Sequence, residues 1–433
     1  MPYDVFEADP ARVGGTIESA QYGPYLLDVG PNSLQLSPEL AQLIEDAGLT
    51  DAVVDTAAVS VHRYVLRGGR LRQLPSSPPA LLTSGYFSLK TKVRLLLELL
   101  RRPGPPVPPD VTAADFFAER FGPEVVRWAL DPFVAGVWAA DPAKLLLREA
   151  LPRVAALADA HGSVVRGLMK SARQSAAADG GTTARRRIVS FREGAGQLPR
   201  ALAAALRHLH QGTAITSVRS APDGFRLTRA DGRPTPHPTY SRLVLALPTH
   251  AAAPLLRGAF PAFAEALAVV RHPPMAAVYL AYPRAAVAHP LDGFGALYPR
   301  AEGRRAAGTI WSSSLYPARC PPTEVLLTTF VGGDQAPTAA DLPDDELTAA
   351  IDAELRALYG ISAVPTFRHV ARWARAIPQL DAHIRPVRAA LPALEAAGVF
   401  AVANWAAGVG VPDVVVRARK VAERLIADAA ATT

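Results

Sequence analysis

Apolar residues follow two rhythms along this chain. In the first, short apolar runs are closed by turn or acidic residues: Val5-Phe6 before Glu7, Leu243-Val244-Leu245-Ala246-Leu247 before Pro248, and Val399-Phe400-Ala401-Val402-Ala403 before Asn404. Such runs are the pattern of strands buried on both faces. Strands are therefore expected at 3–7, 188–192, 214–219 and 399–404, with several more between 275 and 335. In the second rhythm, from Ala80 to Met169, apolar residues take a helical spacing. There Leu81, Leu82, Leu89, Val93, Leu95, Leu96, Leu97 and Leu100 fall among Lys90, Lys92, Arg94, Arg101 and Arg102. The Pro-rich run 103–109 interrupts this pattern, and 111–130 takes it up again. Further helices are expected at 38–47, 198–209, 345–359 and 413–429. The first of these has Pro38 at its start and Gly48 just past its end. Arg63 to Leu71 reads as a β-hairpin turning at Gly68-Gly69, Asp28 to Ser33 as a turn, and 171–187 as an exposed loop or linker.

Strand, turn and helix elements thus recur at the start, near 188–250 and at the end, with segments of different character between them. That is the arrangement of an α/β protein built on one Rossmann-type domain with two α+β insertions. We expect a dinucleotide-binding domain at 1–57, 186–256 and 366–433. A β-sheet substrate domain is expected at 58–78 and 257–365. A helical domain is expected at 79–185; its basic amphipathic stretch at 81–102 suits an ordinary helix with a solvated basic face as well as a membrane surface.

In a dinucleotide-binding βαβ unit a strand and a Gly-rich turn come first. A helix follows, and a second strand ends in an acidic residue that holds the ribose hydroxyls. Tyr3 to Glu7 matches that second strand, with Glu7 as its acidic end. The first strand, the G-x-G-x-x-G turn and its helix would then lie before Met1. The expected domain is accordingly one that lacks them, and one consequence is a non-catalytic fragment unable to hold its cofactor. Arg12-x-Gly14-Gly15 follows, where a glycine pair lets backbone N–H groups approach a pyrophosphate. An ordinary strand-turn has the same look.

Bulk properties narrow the class. Apolar residues make up 49% and charged residues 20%, which excludes a disordered chain. The net charge of +7 is carried almost wholly by arginine, since Lys90, Lys92, Lys144, Lys170 and Lys420 are the lysines. An Arg- and Ala-rich composition explains it, as does a surface for anionic lipid or an acidic substrate. Nothing in the pattern points to nucleic acid. Cys320 is the single cysteine, so no intrachain disulfide or Cys-rich metal site can form. No secretory leader is expected from the polar first residues, and no apolar stretch is long enough for a spanning helix.

Several decoys carry no chemistry. Gly194-x-Gly196 mimics a phosphate loop, but Pro199 stands where the third glycine belongs. His208 and His210 do not share a helix face. No histidine pair has metal-binding spacing, so no metal is expected, and no G-x-S-x-G elbow occurs.

Val5-Phe6-Glu7-Ala8…Arg12-x-Gly14-Gly15 followed by Asp28-x-Gly30-Pro31-Asn32 resembles the FAD-binding start of the protoporphyrinogen oxidase family, within the wider amine oxidase and phytoene desaturase group. The likeness continues through Leu74-Pro75-Ser76-Ser77-Pro78, Asp131-Pro132-Phe133-Val134-Ala135-Gly136, Asp141-Pro142 and Thr309-Ile310-Trp311-Ser312-Ser313. It extends to Thr328-Thr329-Phe330-Val331-Gly332-Gly333, Ile377-Pro378-Gln379…His383 and Asn404-Trp405…Gly408-Val409-Gly410-Val411-Pro412-Asp413. The resemblance implies FAD as cofactor. Its ribose and pyrophosphate would lie on Glu7, Ala8, Arg12, Gly14, Gly15 and Thr16, and Gly30, Pro31 and Asn32 would line the isoalloxazine. Val218 would sit on the adenine side, with Trp373 and the Val409-Gly410-Val411 turn around the flavin. Asn32 is the candidate for a direct polar role in catalysis.

The implied substrate is a porphyrinogen. Arg63 would pair with a propionate through its planar fork. Gly136 would let the macrocycle pass near the backbone, and Leu297, Ile310 and Phe330 would sandwich it. The implied reaction is six-electron oxidation of protoporphyrinogen IX, with oxygen or another acceptor reoxidising the flavin. Coproporphyrinogen III, or an amine or carotenoid substrate on the same scaffold, stand as alternatives. Ala139-Ala140, where relatives often carry two glycines, follows Trp138 and suggests a bulkier pocket edge. The reading places the protein in the cytoplasm, with peripheral contact to the inner face of the cell membrane and pairing with a second copy left open.

Overall fold

The computed structural model describes residues 2–75, 78–178 and 187–432. Its centre is a seven-stranded sheet. In spatial order the strands are Phe367–Trp373, Met275–Pro283, Glu324–Gly332, Ala306–Ile310, Gly295–Leu297, Tyr64–Arg67 and Arg70–Gln73. All neighbours are antiparallel except Gly295–Leu297 beside Tyr64–Arg67. Met275–Pro283 has both edges paired and both faces covered. Ala276, Val278, Leu280 and Tyr282 pack with Leu347, Ile351 and Leu355 from the helix Asp344–Tyr359. On the opposite face Ala277, Tyr279 and Ala281 meet Tyr25 and Leu27. The outer hairpin turns at Gly68 and Gly69, both at positive φ, and their N–H groups donate to the Glu302 carboxylate at 2.6 and 3.0 Å.

Phe367–Trp373 belongs to this sheet, which therefore crosses the expected boundary between 365 and 366. The strand carries the exposed Arg368 and Arg372, which hid it in the hydropathy pattern.

The cofactor-side lobe is built differently. Val5–Glu7 pairs in parallel with Leu209–Gln211, and Leu243–Leu245 with Val399–Ala401. No described strand joins these two ladders. The helix expected to reach 209 ends at Ala205, because Leu209 turns into the strand that pairs with Val5. An unforeseen hairpin, Glu18–Tyr22 with Tyr25–Val29, turns at Gly23 and leads into the 28–33 turn. Ile188–Phe191 lies antiparallel between Leu34–Gln35 and Val53–Asp55. The helix Pro38–Asp46 starts where expected, with the Ser37 hydroxyl accepting from Leu40 N–H. Val411 and Val415 of the last helix, Val411–Thr432, pack on its cluster.

Between the lobes' segments lies a helical region. The helix Val164–Ala178 runs through the first part of the expected 171–187 linker, and 179–186 lie outside the described residues. That helix is capped by a buried carboxylate: Glu98 accepts from Ser163 Oγ, Val164 N–H and Val165 N–H. No helix among the described residues is long and apolar enough to cross a membrane.

Candidate active site

Glu7 ends its short strand with one described hydrogen bond to its carboxylate, from Asp9 N–H at 2.9 Å. A carboxylate offers about four acceptor positions, so capacity for ribose hydroxyls remains. Ala8, Gly15 and Thr16 are exposed beside it. Gly14 and Gly15 have φ of +96° and +56°, and a Cβ on Gly14 would lie 2.7 Å from Pro199. Gly30, at φ +144°, crosses the same loop so closely that a Cβ would stand 2.0 Å from Thr16 O. The Glu7–Thr16 loop and the Gly30-Pro31-Asn32 turn are thus packed backbone to backbone. The Asn32 amide donates to Gly30 O at 3.0 Å, so part of its hydrogen bonding is spent on its own turn.

The sheet supplies the other wall. The pairings Leu297↔Gly308, Gly308↔Phe330 and Ala277↔Phe330 put Leu297 and Phe330 on one face. Ile310↔Thr328 and Thr328↔Tyr279 set the next row on the same face, and Met275↔Trp373 sets the row beyond Ala277. Leu297, Ile310, Phe330 and Trp373 therefore share the face turned toward Tyr25 and Leu27 of the cofactor-side lobe. The helix Asp131–Trp138 closes on this wall at Gly136, where a Cβ would stand 2.8 Å from Leu297 Cδ2. Ile310 and Asn32 line one small cavity of about 10 Å³ with Asp28, Ser312, Tyr316, Arg319 and Thr328. Arg63 is exposed at the sheet's rim, over the Phe294 ring at 5.3 Å, with no ion pair among the described residues.

Four expected positions stand otherwise. Arg12 folds onto its own loop, donating to Gly15 O at 2.6 Å and pairing with Asp9 and Glu18 at 3.4 and 3.3 Å. The Val218 side chain is buried among Leu245, Leu255 and Leu256, which leaves only its backbone for a ligand. The Gly410 N–H is taken by the Asp413 carboxylate at 3.3 Å, because Asp413 sits in the helix's first turn and reaches back. Val409 and Val411 N–H remain without a described hydrogen bond. Just before Ala139-Ala140, Trp138 is buried against Phe133, with its carbonyl accepting from Gln379 Nε2.

Other groups at the site went unforeseen. Asp28, read only as a turn residue, is buried and paired with Arg319 at 2.8 Å. The Tyr279 hydroxyl donates to Asp28 O, and burial pushes its pKa up. Near Trp373, the His272 ring spans Thr249 Oγ1 and Ala376 O and stacks edge-on with His250. Burial lowers the pKa of both imidazoles. In an arginine-rich chain nothing marks Arg319 as the buried one, and the histidines come together only through the fold. Among the described residues no cluster of His, Cys, Asp or Glu could hold a metal ion.

The family model for flavin-containing amine oxidoreductases matches residues 1–426. The chain belongs to that family. Its members here are FAD-dependent oxidoreductases, and FAD is the cofactor of this one. The chain is 33% identical to the chloroplastic protoporphyrinogen oxidase of Oryza sativa subsp. japonica over 422 residues, covering 92% of this chain and 78% of that protein. It is 25% identical to the coproporphyrinogen III oxidase of Bacillus subtilis over 419 residues, covering 94% and 88%. Among solved structures, a protein from Exiguobacterium sp. 255-15 provisionally assigned as a protoporphyrinogen oxidase superposes with TM-score 0.78 at 19% identity, covering 98% of this chain and 92% of that one. An engineered putrescine oxidase superposes at 0.67 and 15% identity, covering 98% and 93%, so the fold extends to amine oxidases. The tight glycine crossings and the available Glu7 carboxylate fit the dinucleotide of this flavin family.

Proposed function

We propose that this flavoenzyme oxidises protoporphyrinogen IX to protoporphyrin IX, with oxygen as the acceptor. One observation carries the reading: Leu297, Ile310 and Phe330 line a single sheet face. Gly136 lies against that wall, and Arg63 stands at its rim without a carboxylate partner. An apolar, bulky, carboxylate-bearing substrate suits that combination. Bound FAD supplies a two-electron acceptor, so three turnovers account for the six electrons. The chain's own part is positional. Phe330, Ile310 and Leu297 exclude water and hold the macrocycle against the sheet face, while Gly136 makes room for it beside the helix. Arg63 grips a propionate and so fixes which edge enters.

The test is porphyrin fluorescence with purified holoenzyme on protoporphyrinogen IX and coproporphyrinogen III, with peroxide counted alongside. Arg63→Ala should raise KM about tenfold or more and leave kcat nearly unchanged, as expected for loss of uniform binding. Protein that carries stoichiometric FAD yet forms porphyrin from neither substrate sinks the reading. Turnover of coproporphyrinogen alone reassigns the substrate to the tetrapropionate. The similarity to the Bacillus subtilis enzyme keeps that outcome in view.

We also infer a cytoplasmic, peripheral membrane location. On the helix Leu89–Glu98 and just beyond it, Leu89, Val93, Leu96, Leu97 and Leu100 are exposed, and Lys90 and Lys92 flank them. An apolar stripe edged by cations suits an anionic bilayer surface. Co-sedimentation with phosphatidylglycerol vesicles should be strong, weaker with phosphatidylcholine, and lost in Leu97→Asp/Leu100→Asp. Equal recovery of the wild type without vesicles refutes it.

A further inference from the structure

Asp28 and Arg319 form a buried ion pair where the two lobes meet, 5% and 3% exposed. Asp28 is the penultimate residue of the second strand of the 18–29 hairpin, two residues before Gly30. Arg319 closes the short turn Pro317–Arg319 that precedes the sheet strand Glu324–Gly332. Each Asp28 oxygen is used. Oδ1 accepts from Ser19 Oγ at 2.6 Å and Ala195 N–H at 2.8 Å, and Oδ2 accepts from Arg319 at 2.8 Å. Ser19 Oγ in turn accepts from Gly196 N–H at 2.9 Å, so the Gly194-Ala195-Gly196 turn closes around a carboxylate of the chain itself. The same guanidinium nitrogen reaches Ser190 Oγ at 2.8 Å. The backbone carbonyl of Asp28 accepts from Tyr279, which stands beside Phe330 and Ile310 on the sheet's site face.

These contacts converge on the turn that carries Gly30, Pro31 and Asn32. We propose that Asp28 and Arg319 are positioning residues of the redox site. The Arg319 guanidinium anchors the Asp28 carboxyl group, and that anchored group holds the 28–32 turn at a fixed height over the sheet face. This rests on the reading that flavin and porphyrinogen meet between that turn and that face. The pair is not part of the pocket: its place is beneath the turn, and it acts through backbone position. The cavity of about 10 Å³ beside it has room for about one water. It is lined by Asp28, Asn32, Arg319 and the Tyr316 residue whose buried hydroxyl has no partner among the described residues. The Arg319 guanidinium stacks over the Tyr316 ring at 5.1 Å.

The titratable groups facing Asp28 are Arg319, Tyr279 and Tyr316, with Glu18 acting on Tyr279 and Asp55 on Tyr316 from further out. Burial pushes the Asp28 carboxyl above its ordinary value, and Arg319, Ser19 and the Ala195 N–H offset only part of that push. Without Arg319 the upward push is unopposed by charge. The folded-state carboxyl then sits further above its unfolded value, so the folded protein binds the extra proton and its stability falls more steeply as pH rises.

The experiment compares wild type, Arg319→Met, Asp28→Asn/Arg319→Met and Arg319→Lys as purified full-length protein. It records Tm, FAD dissociation and the visible flavin spectrum from about pH 5 to about pH 8, the window between an unfolded carboxyl and a raised one. Wild type should slope less than Arg319→Met. In Arg319→Met, Tm should fall with rising pH, and the FAD Kd should rise by at most about tenfold per pH unit, the one-proton limit. The flavin spectrum should change with the same apparent pKa, which a merely structural role would not produce. The double variant should be flat, and Arg319→Lys should follow wild type. A pH-independent loss in Arg319→Met, or a sloping profile in the double variant, overturns the proposal. Should Arg319→Met fail to fold, a profile in Arg319→Lys steeper than wild type overturns it as well. The Tm profile reads out whether or not porphyrinogen is oxidised, so failure of the substrate assignment is seen separately.

Discussion

Met275–Pro283 and Leu243–Leu245 are both apolar strands, yet the fold treats them oppositely. The first is paired on two edges and sealed on two faces, and nearly all of its residues are buried. The second has one partner, Val399–Ala401, and Val244 at its middle is 50% exposed. Hydropathy alone does not bury a strand; neighbours do. The sheet lobe takes its order from strand pairing, and the cofactor-side lobe takes its order from turns packed against turns, as where Gly30 crosses Thr16.

That contrast can be broken by substitution. Leu280→Ala, in the sealed strand, should cost about 2–5 kcal/mol, from lost burial plus a cavity. Val244→Ala, read in the same urea titration, should stay within about 0.5 kcal/mol. Equal costs would erase the distinction. If the cofactor-side lobe lives in its turns, Gly30→Ala should cost at least about 2 kcal/mol, since it combines a positive φ with overlap on the Thr16 carbonyl. It should also release FAD, measured by the flavin absorbance left after gel filtration. Gly15→Ala, which meets open space, should cost only roughly 1 kcal/mol. The smallest change sharpens the picture at the joint between the helical region and the sheet. Ala139 sits in the left-handed region at φ +54°, where the helix carrying Gly136 ends and its carbonyl accepts from Asp334 N–H. Ala139→Gly should raise stability by about 1 kcal/mol, seen as a higher Tm without loss of FAD.

Much of this was legible beforehand wherever local physics decides. The helix at 38–46 shows its Pro38 and Gly48 in the sequence, and the 64–73 hairpin shows its Gly68-Gly69 turn. The wall of Leu297, Ile310 and Phe330 came from family resemblance, and the strand register puts it on one face. What stayed hidden depends on distant partners. Phe367–Trp373 becomes a strand because Met275–Pro283 has an edge to offer, and Leu209–Gln211 because Val5–Glu7 has one. Arg319 is indistinguishable from a surface arginine until Asp28 and Ser190 surround it. The Gly410 N–H seemed free for a ligand until Asp413 was seen to claim it.

The one parallel contact in the large sheet, Tyr64 with Ala296 and Val65 with Leu297, joins segments about 230 residues apart. On a ribosome adding about 5–20 residues per second, the 64–73 hairpin waits roughly ten to forty-five seconds for its neighbour to be made. Its edge, and Arg63 with it, is docked only after most of the chain has emerged. Arg63, at the rim proposed to hold a substrate carboxylate, therefore stands on an edge that stays unpaired until Leu297 has been made.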